Sequence, residues 1–271
     1  MTLWQKLIKY LAIAFAMLLI VSIIGGIVGT LSSVSFVFGD KDVLDELQTY
    51  SVNSDIKELD IDISAAEFVV KTGDEFCVKS NHKYITVEEK SDRLVISEKK
   101  RFLGSYSGKV CLELYVPEGT VFEKANISTG AGRVTIETLS TEVLTLNLGA
   151  GEVKIDFLNA AERAKIDGGA GSITISDGDL RNLDLDMGVG ELKLTSKLSG
   201  NSDLDFGVGE TELVLLGAAD DYKIKLDKGV GEAKIDGESI SNGGVYGTGE
   251  NTVDVDGGVG AIKITFRASE K

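Results

Sequence analysis

Proline occurs once in 271 residues, at Pro117, although glycine occurs 32 times. A Gly-rich flexible linker would carry more Pro and Ser and fewer Val, Ile and Leu. The glycines therefore belong at defined corners of a folded chain. Histidine also occurs once, at His82 within KSNHKY. That scarcity excludes His-rich metal centres and argues against Ser-His-Asp catalysis. The polar neighbours predict a solvated loop for His82. Basic residues are outnumbered, and the formal net charge is −15. Every acidic residue lies after Gly39, and only Lys6 and Lys9 of the basic ones precede it. A nucleic-acid binder needs a cationic face to displace phosphate counterions, and none is present. Docking on anionic lipid by charge is disfavoured for the same reason. No glycine motif leads into GK[ST] before a helix, so no phosphate-binding P-loop is present. Strands rather than helices follow the glycines, which removes a dinucleotide fingerprint.

Two cysteines, Cys77 and Cys111, sit in the strand-like runs EFCVK and KVCLELYV. Two readings stand open. One is a disulfide stapling neighbouring strands, as an oxidising exterior permits; the other is a pair of buried thiols. A bridge requires Cα atoms within about 7 Å, which spacing alone does not decide.

What the sequence does have begins with an apolar run. Tyr10 to Gly39 carries no charge over 30 residues. About 20 residues of helix cross a bilayer core, whereas a signal-peptide core is usually about 7–15. The expectation is an uncleaved transmembrane anchor, with a cleaved signal near Ser32–Ser35 as the alternative. Lys6 and Lys9 before the span, and Asp40, Asp42, Asp45 and Glu46 after it, place the N-terminus in the cytoplasm and the bulk of the chain outside.

The strongest pattern is a G-[AV]-G tripeptide that occurs seven times. Its glycines are Gly130 and Gly132, Gly149 and Gly151, Gly169 and Gly171, Gly188 and Gly190, Gly207 and Gly209, Gly229 and Gly231, and Gly258 and Gly260. Successive steps are 19, 20, 19, 19, 22 and 29 residues, the period of a repeat architecture. The residues three before the first glycine are Ile127, Leu146, Ile166, Leu185, Leu204, Leu226 and Val255, all aliphatic. Those six after it are Ile136, Ile155, Ile175, Leu194, Leu213, Ile235 and Ile264. Polar residues alternate between, as in strands with one buried face. Each unit reads as strand, Gly corner, strand and a looser return. Two short strands cannot bury their inner face alone, so the units must stack as coils.

Two positions before each corner stand Ser128, Asn147, Asp167, Asp186, Asp205, Asp227 and Asp256. A short side-chain acceptor there suits the turn that follows. Five carboxylates at coil spacing also repel unless screened, and calcium is the natural hard cation for them. Glu191, Glu210 and Glu232 form a second acidic row past the corner. Against calcium, the closest approach to the nonapeptide calcium repeat, GGAGSITIS, has Ile173 where that pattern needs Asp. A carbohydrate-active β-helix would need paired acids about 5–9.5 Å apart in a cleft, and regular rows without aromatic platforms do not suggest one.

The organisation predicted is a cytoplasmic N-terminus (1–9), a transmembrane segment (10–39), a connector (40–58), an N-terminal β-strand region that starts the solenoid (59–119), and Gly-[Ala/Val]-Gly repeats (120–271). The fold class is all-β: a single-stranded, right-handed β-solenoid of 19–22-residue coils behind one transmembrane helix. The opening LDIDISAAEFVV strands, the YVPEGT stretch and the serial G-[AV]-G coils resemble the bacterial family of β-strand-repeat proteins named "putative adhesin", a domain without assigned activity. The resemblance covers Leu59–Phe266. It implies a β-solenoid, often behind one membrane helix in Gram-positive envelopes, with structural glycines and no catalytic residues. Some members are encoded beside antibiotic-stress sensing systems. The function expected is a non-enzymatic, extracytoplasmic module of the cell envelope that contacts wall polymer or envelope membrane proteins, without a cofactor. The alternative is a regulatory or scaffold protein of the envelope stress response, acting through membrane partners or self-association.

Overall fold

A computed structural model describes residues 43–53, 55–98 and 109–268. Nearly all of these belong to one compact unit, Leu44–Arg101 with Val110–Lys271. The expected cytoplasmic segment (1–9) and membrane helix (10–39) lie outside the described residues. Among the described residues no helix is long and apolar enough to cross a membrane.

The described chain is almost entirely β. In order it runs β1 (Val43–Ser51), β2 (Glu58–Gly73), β3 (Cys77–His82), β4 (Ile85–Lys90), β5 (Arg93–Glu98), β6 (Cys111–Pro117), β7 (Phe122–Ile175), β8 (Gly178–Arg181), β9 (Leu183–Ser199), β10 (Asn201–Leu216), β11 (Tyr222–Ile235), β12 (Glu238–Ser239), β13 (Gly244–Tyr246) and β14 (Asn251–Arg267). A 3₁₀ turn, Ala219–Asp221, precedes β11. Coils of 19 or 20 residues pair in parallel, each residue opposite its equivalent in the next. Leu185 pairs with Leu204, Gly190 with Gly209, and Leu194 with Leu213.

This register turns sequence periodicity into a core. The predicted column three before the corner is buried throughout, from Ile127 at 0% exposure to Leu226 at 1%. In the column six after it all are buried except Ile235, which is half-buried in β11. Each such side chain contributes about 1.5–3 kcal/mol against chain entropy. The return segment is more ordered than the sequence suggests. Leu158–Ala160 pairs with β8, and β8 in turn with Lys197–Ser199.

The coils do not stack in sequence order at either end. At one end β14 lies between β10 and β11, paired in parallel with both. The 22-residue step from Gly207 to Gly229 carries the chain past one level, and the 29-residue step brings it back. At the other end β2 lies between β7 on one side and β5 with β6 on the other, again all parallel. The outermost coils are therefore β11 and the split coil β5–β6. Each is covered by antiparallel strands: β3 on β6, β4 on β5, and β12 and β13 on β11. An open parallel edge would be a template for aggregation, and these short strands blunt it. The β11–β12 hairpin turns on Asp236–Gly237, both at positive φ (47° and 83°), the geometry that an Asp-Gly pair favours. Ile240, 7% exposed, plugs the apolar end beyond it.

Candidate functional site

The glycines of the corners are set by approach between coils. An added Cβ at any of the fourteen would enter the backbone carbonyl of the adjoining coil, well inside the 3.0 Å that real Cβ atoms respect. The first coil shows the converse. The pairing of β2 with β5 ends at Asp62 and that with β6 begins at Glu67. In that gap Ala65 and Ala66 stand opposite Ala131 and Gly132. Alanine is accepted where no paired strand of the described residues crowds the corner.

With the corners fixed, outward residues on the arm before each corner form straight ladders. One is Asp167, Asp186, Asp205, Asp256 and Asp227, in that spatial order. Two residues earlier on the same face runs a second: Lys165, Asp184, Asp203, Asp254 and Lys225. Neighbouring coils lie about 4.8 Å apart, so eight carboxylates share one ribbed surface. Alignment of the sequence on its corners picks out the first ladder and passes over the second. The signal for the second is the repeated D-x-D of 184/186, 203/205 and 254/256.

Cations sit at the margins of this face. Arg163 reaches Asp184 at 3.2 Å, Lys165 reaches Asp167 at 3.4 Å, and Lys225 bonds Asp254. The centre is left to carboxylates. Partial burial raises the Asp205 carboxyl above its ordinary range, and the charges of Asp203, Asp186 and Asp256 raise it further. Asp186 and Asp256 are raised for the same reasons, burial first and neighbouring aspartates second. Beside them runs a shallow groove of about 460 Å³, lined by Asp186, Asp205, Asp256, Met187, Phe206 and the bare backbone of the corner glycines.

The face past the corner differs. Glu191 bonds Lys193 at 2.6 Å, Glu232 bonds Lys234 at 2.9 Å, and Glu152 lies between Lys154 (2.6 Å) and Arg133 (3.0 Å). The predicted second acidic row is also broken. Glu191 and Glu210 are neighbours, but Ala261 follows, and Glu232 stands one level further on. The three fall into one row only if the coils stack serially. Among the described residues no group of three or more His, Cys, Asp or Glu side chains is gathered closely enough to hold a metal ion. The calcium candidates Asp167, Asp186, Asp205, Asp227 and Asp256 lie along one ladder, and Glu191, Glu210 and Glu232 lie along the broken row past the corner.

One open reading is decided and one expectation is corrected. Cys77 and Cys111 are not joined in a disulfide. The β3–β6 register pairs Cys77 with Tyr115 and Ser80 with Leu112. Four residues of strand thus separate the cysteines, roughly 13 Å and beyond the span of a disulfide. His82 is not a solvated loop residue but the buried end of β3, 2% exposed. Its Nε2 lies 3.4 Å from Glu98 Oε1, with both side chains enclosed. Burial pushes the Glu98 carboxyl up, but hydrogen bonds from His82 and Ser64 outweigh it and hold the group below its ordinary range.

Among curated proteins no relative matches the chain. Solved structures do. A "putative cell adhesion protein" of Clostridium sporogenes aligns at 17% identity over 82% of this chain and 99% of its own, with a TM-score of 0.36. A "putative adhesin" of Bacteroides fragilis aligns at 14% over 83% and 100%, TM-score 0.35. A "putative lipid binding protein" of Parabacteroides distasonis aligns at 14% over 82% and 98%, TM-score 0.35. Residues 41–265 match the family described as Toastrack DUF4097. The resemblance carried by the opening strands and the G-[AV]-G coils is therefore the true one, and the chain belongs to the Toastrack DUF4097 family.

Proposed function

We propose that this protein is a non-enzymatic binding module of the cell envelope. Its N-terminal apolar segment spans the membrane with the N-terminus inside, and the β coils, wound right-handedly as a single-stranded solenoid, stand on the outer side. It contacts its partner with the carboxylate face. The observation that carries this reading is the centre of that face, where Asp186, Asp205 and Asp256 stand side by side on adjoining coils, exposed, with the face's ion pairs made by their neighbours and not by them. Such a lattice gains most by meeting amine groups at matching spacing, which release the repulsion and gain charge-assisted hydrogen bonds. Amine-bearing wall polymer or a basic segment of an envelope membrane protein supplies that chemistry.

The test is co-sedimentation of the detergent-solubilised full chain with isolated cell-wall sacculi across a salt series. Saturable pelleting that weakens with salt, and that is lost in the triple variant Asp186→Asn, Asp205→Asn, Asp256→Asn, supports a wall-polymer partner. Pelleting that ignores the triple variant overturns the assigned face. No pelleting at any salt overturns the wall polymer and turns the search to membrane-protein partners by crosslinking.

A further inference from the structure

In a serially stacked repeat protein the first and last coils have a neighbour on one side only. They fray first, and tension between the ends removes coils one at a time. This fold is built otherwise at both ends. The first coil in sequence, β2, pairs over Glu58–Val70 with Lys124–Ile136 of β7. Its opposite edge pairs with Arg93–Ser97 and then Cys111–Pro117. The last coil in sequence, β14, pairs over Thr252–Arg267 with β10 and over Asn251–Ile264 with β11. Its apolar side chains Val253, Val255 and Ile264 are 0% exposed, as are Phe68 and Val70 of β2.

We infer that this inversion is a mechanical lock: tension through its first and last coils cannot unravel the domain coil by coil, and thermal fraying starts at β11 and β5–β6 instead of at the first and last coils of the chain. The outermost coils, β5–β6 and β11, are interior in sequence, so tension reaches them only through the coils that they cover. An edge coil drawn along the stack axis leaves by opening its hydrogen bonds pair by pair. Here an outer coil and its antiparallel cover lie across that path. To escape, β2 or β14 must slide along its own axis, loading its hydrogen bonds on both edges together, or carry the outer coil with it. Among the described strands β1, paired with β3 at the margin of the sheet, is the one placed to release early. The inference stands on strand order alone and is independent of the partner proposed above.

Native-state hydrogen exchange of the full chain, read by mass spectrometry, tests the lock. Peptides covering Leu59–Val70 and Val253–Ile264 should exchange as slowly as those covering Leu185–Leu194. Peptides covering Tyr222–Ile235 should exchange at least about tenfold faster. Faster exchange in β14 than in β11 overturns the inference. In force spectroscopy with handles at the two termini, the coils should give way in one high-force event after an early release of β1. A train of equal low-force steps of about 19 residues, each roughly 65 Å of contour, would equally overturn it.

Discussion

Replacing Gly209 with alanine tests the packing logic of the corner most directly. Gly209 has a φ of +151°, and a Cβ there would lie more than an ångström inside the closest approach to the Gly190 carbonyl. Two costs follow. A conformation reserved for glycine costs an L-residue about 1–3 kcal/mol. Relieving the overlap also moves the strand away from Gly190 on one side while it remains paired at Gly260 on the other. Weakening one or two ladder hydrogen bonds costs about 1 kcal/mol each. The sum is roughly 2–5 kcal/mol, and at about 2–4 °C per kcal/mol the midpoint should fall by roughly 10 °C. The assay is thermal unfolding by far-ultraviolet circular dichroism, beside Val208→Ala and Ala66→Gly. Val208, half-buried between the glycines, should cost about 1 kcal/mol or less. Ala66→Gly supplies glycine where none of the described strands crowds the corner, and should destabilise by about 0.5–1 kcal/mol through chain entropy. A Gly209→Ala protein melting within about 2 °C of the parent, or a Val208→Ala protein damaged as much, would refute the argument.

Three other outcomes are expected. Because the Asp205 carboxyl is raised in the folded state, its protonation favours folding; that contribution is present below about pH 4 and is lost as pH rises through the raised value. Asp205→Asn should therefore stabilise slightly at pH 7, by no more than about 0.5 kcal/mol, and the gain should shrink in high salt and vanish near pH 3, as followed by urea midpoints. His82→Leu should destabilise by about 3 kcal/mol or more, since Glu98 keeps its burial and loses its imidazole partner; an unchanged midpoint would show that the pair contributes nothing. Calcium and magnesium at equal concentration should shift the melting temperature equally, as screening of the carboxylate ladders requires, and a shift specific to calcium would mean that the ladders form a true site.

How much was legible from sequence depends on the range of the interaction. Alternation and corner glycines are local, and by themselves they locate the two buried columns and the Asp167–Asp186–Asp205 ladder. His82 is easily misread because KSNHKY is polar in sequence, while its burial comes from strands distant along the chain. The cysteines stay ambiguous in sequence because the antiparallel register of β3 on β6 is set by tertiary pairing. Even the second carboxylate ladder is present in the D-x-D spacing, but it matters only once register places Asp184, Asp203 and Asp254 side by side.

The sequence by itself determined that the chain coils, where each coil turns, which side chains face inward and which outward positions are acidic. Those properties follow from φ/ψ preference and burial within a single repeat. The tertiary structure decided the order of the coils. The repeats share one corner and one apolar column, so a coil can stack on any other, and periodicity carries no preference for its neighbour. The choice falls to non-repeating pieces: the 3₁₀ turn and longer step that lift β11 past a level, the Asp236–Gly237 hairpin that covers it, and Ile240 that closes the core. A covering chain that is near in sequence costs the least loop-closure entropy, and β12 and β13, which follow β11 directly, are the strands that cover it.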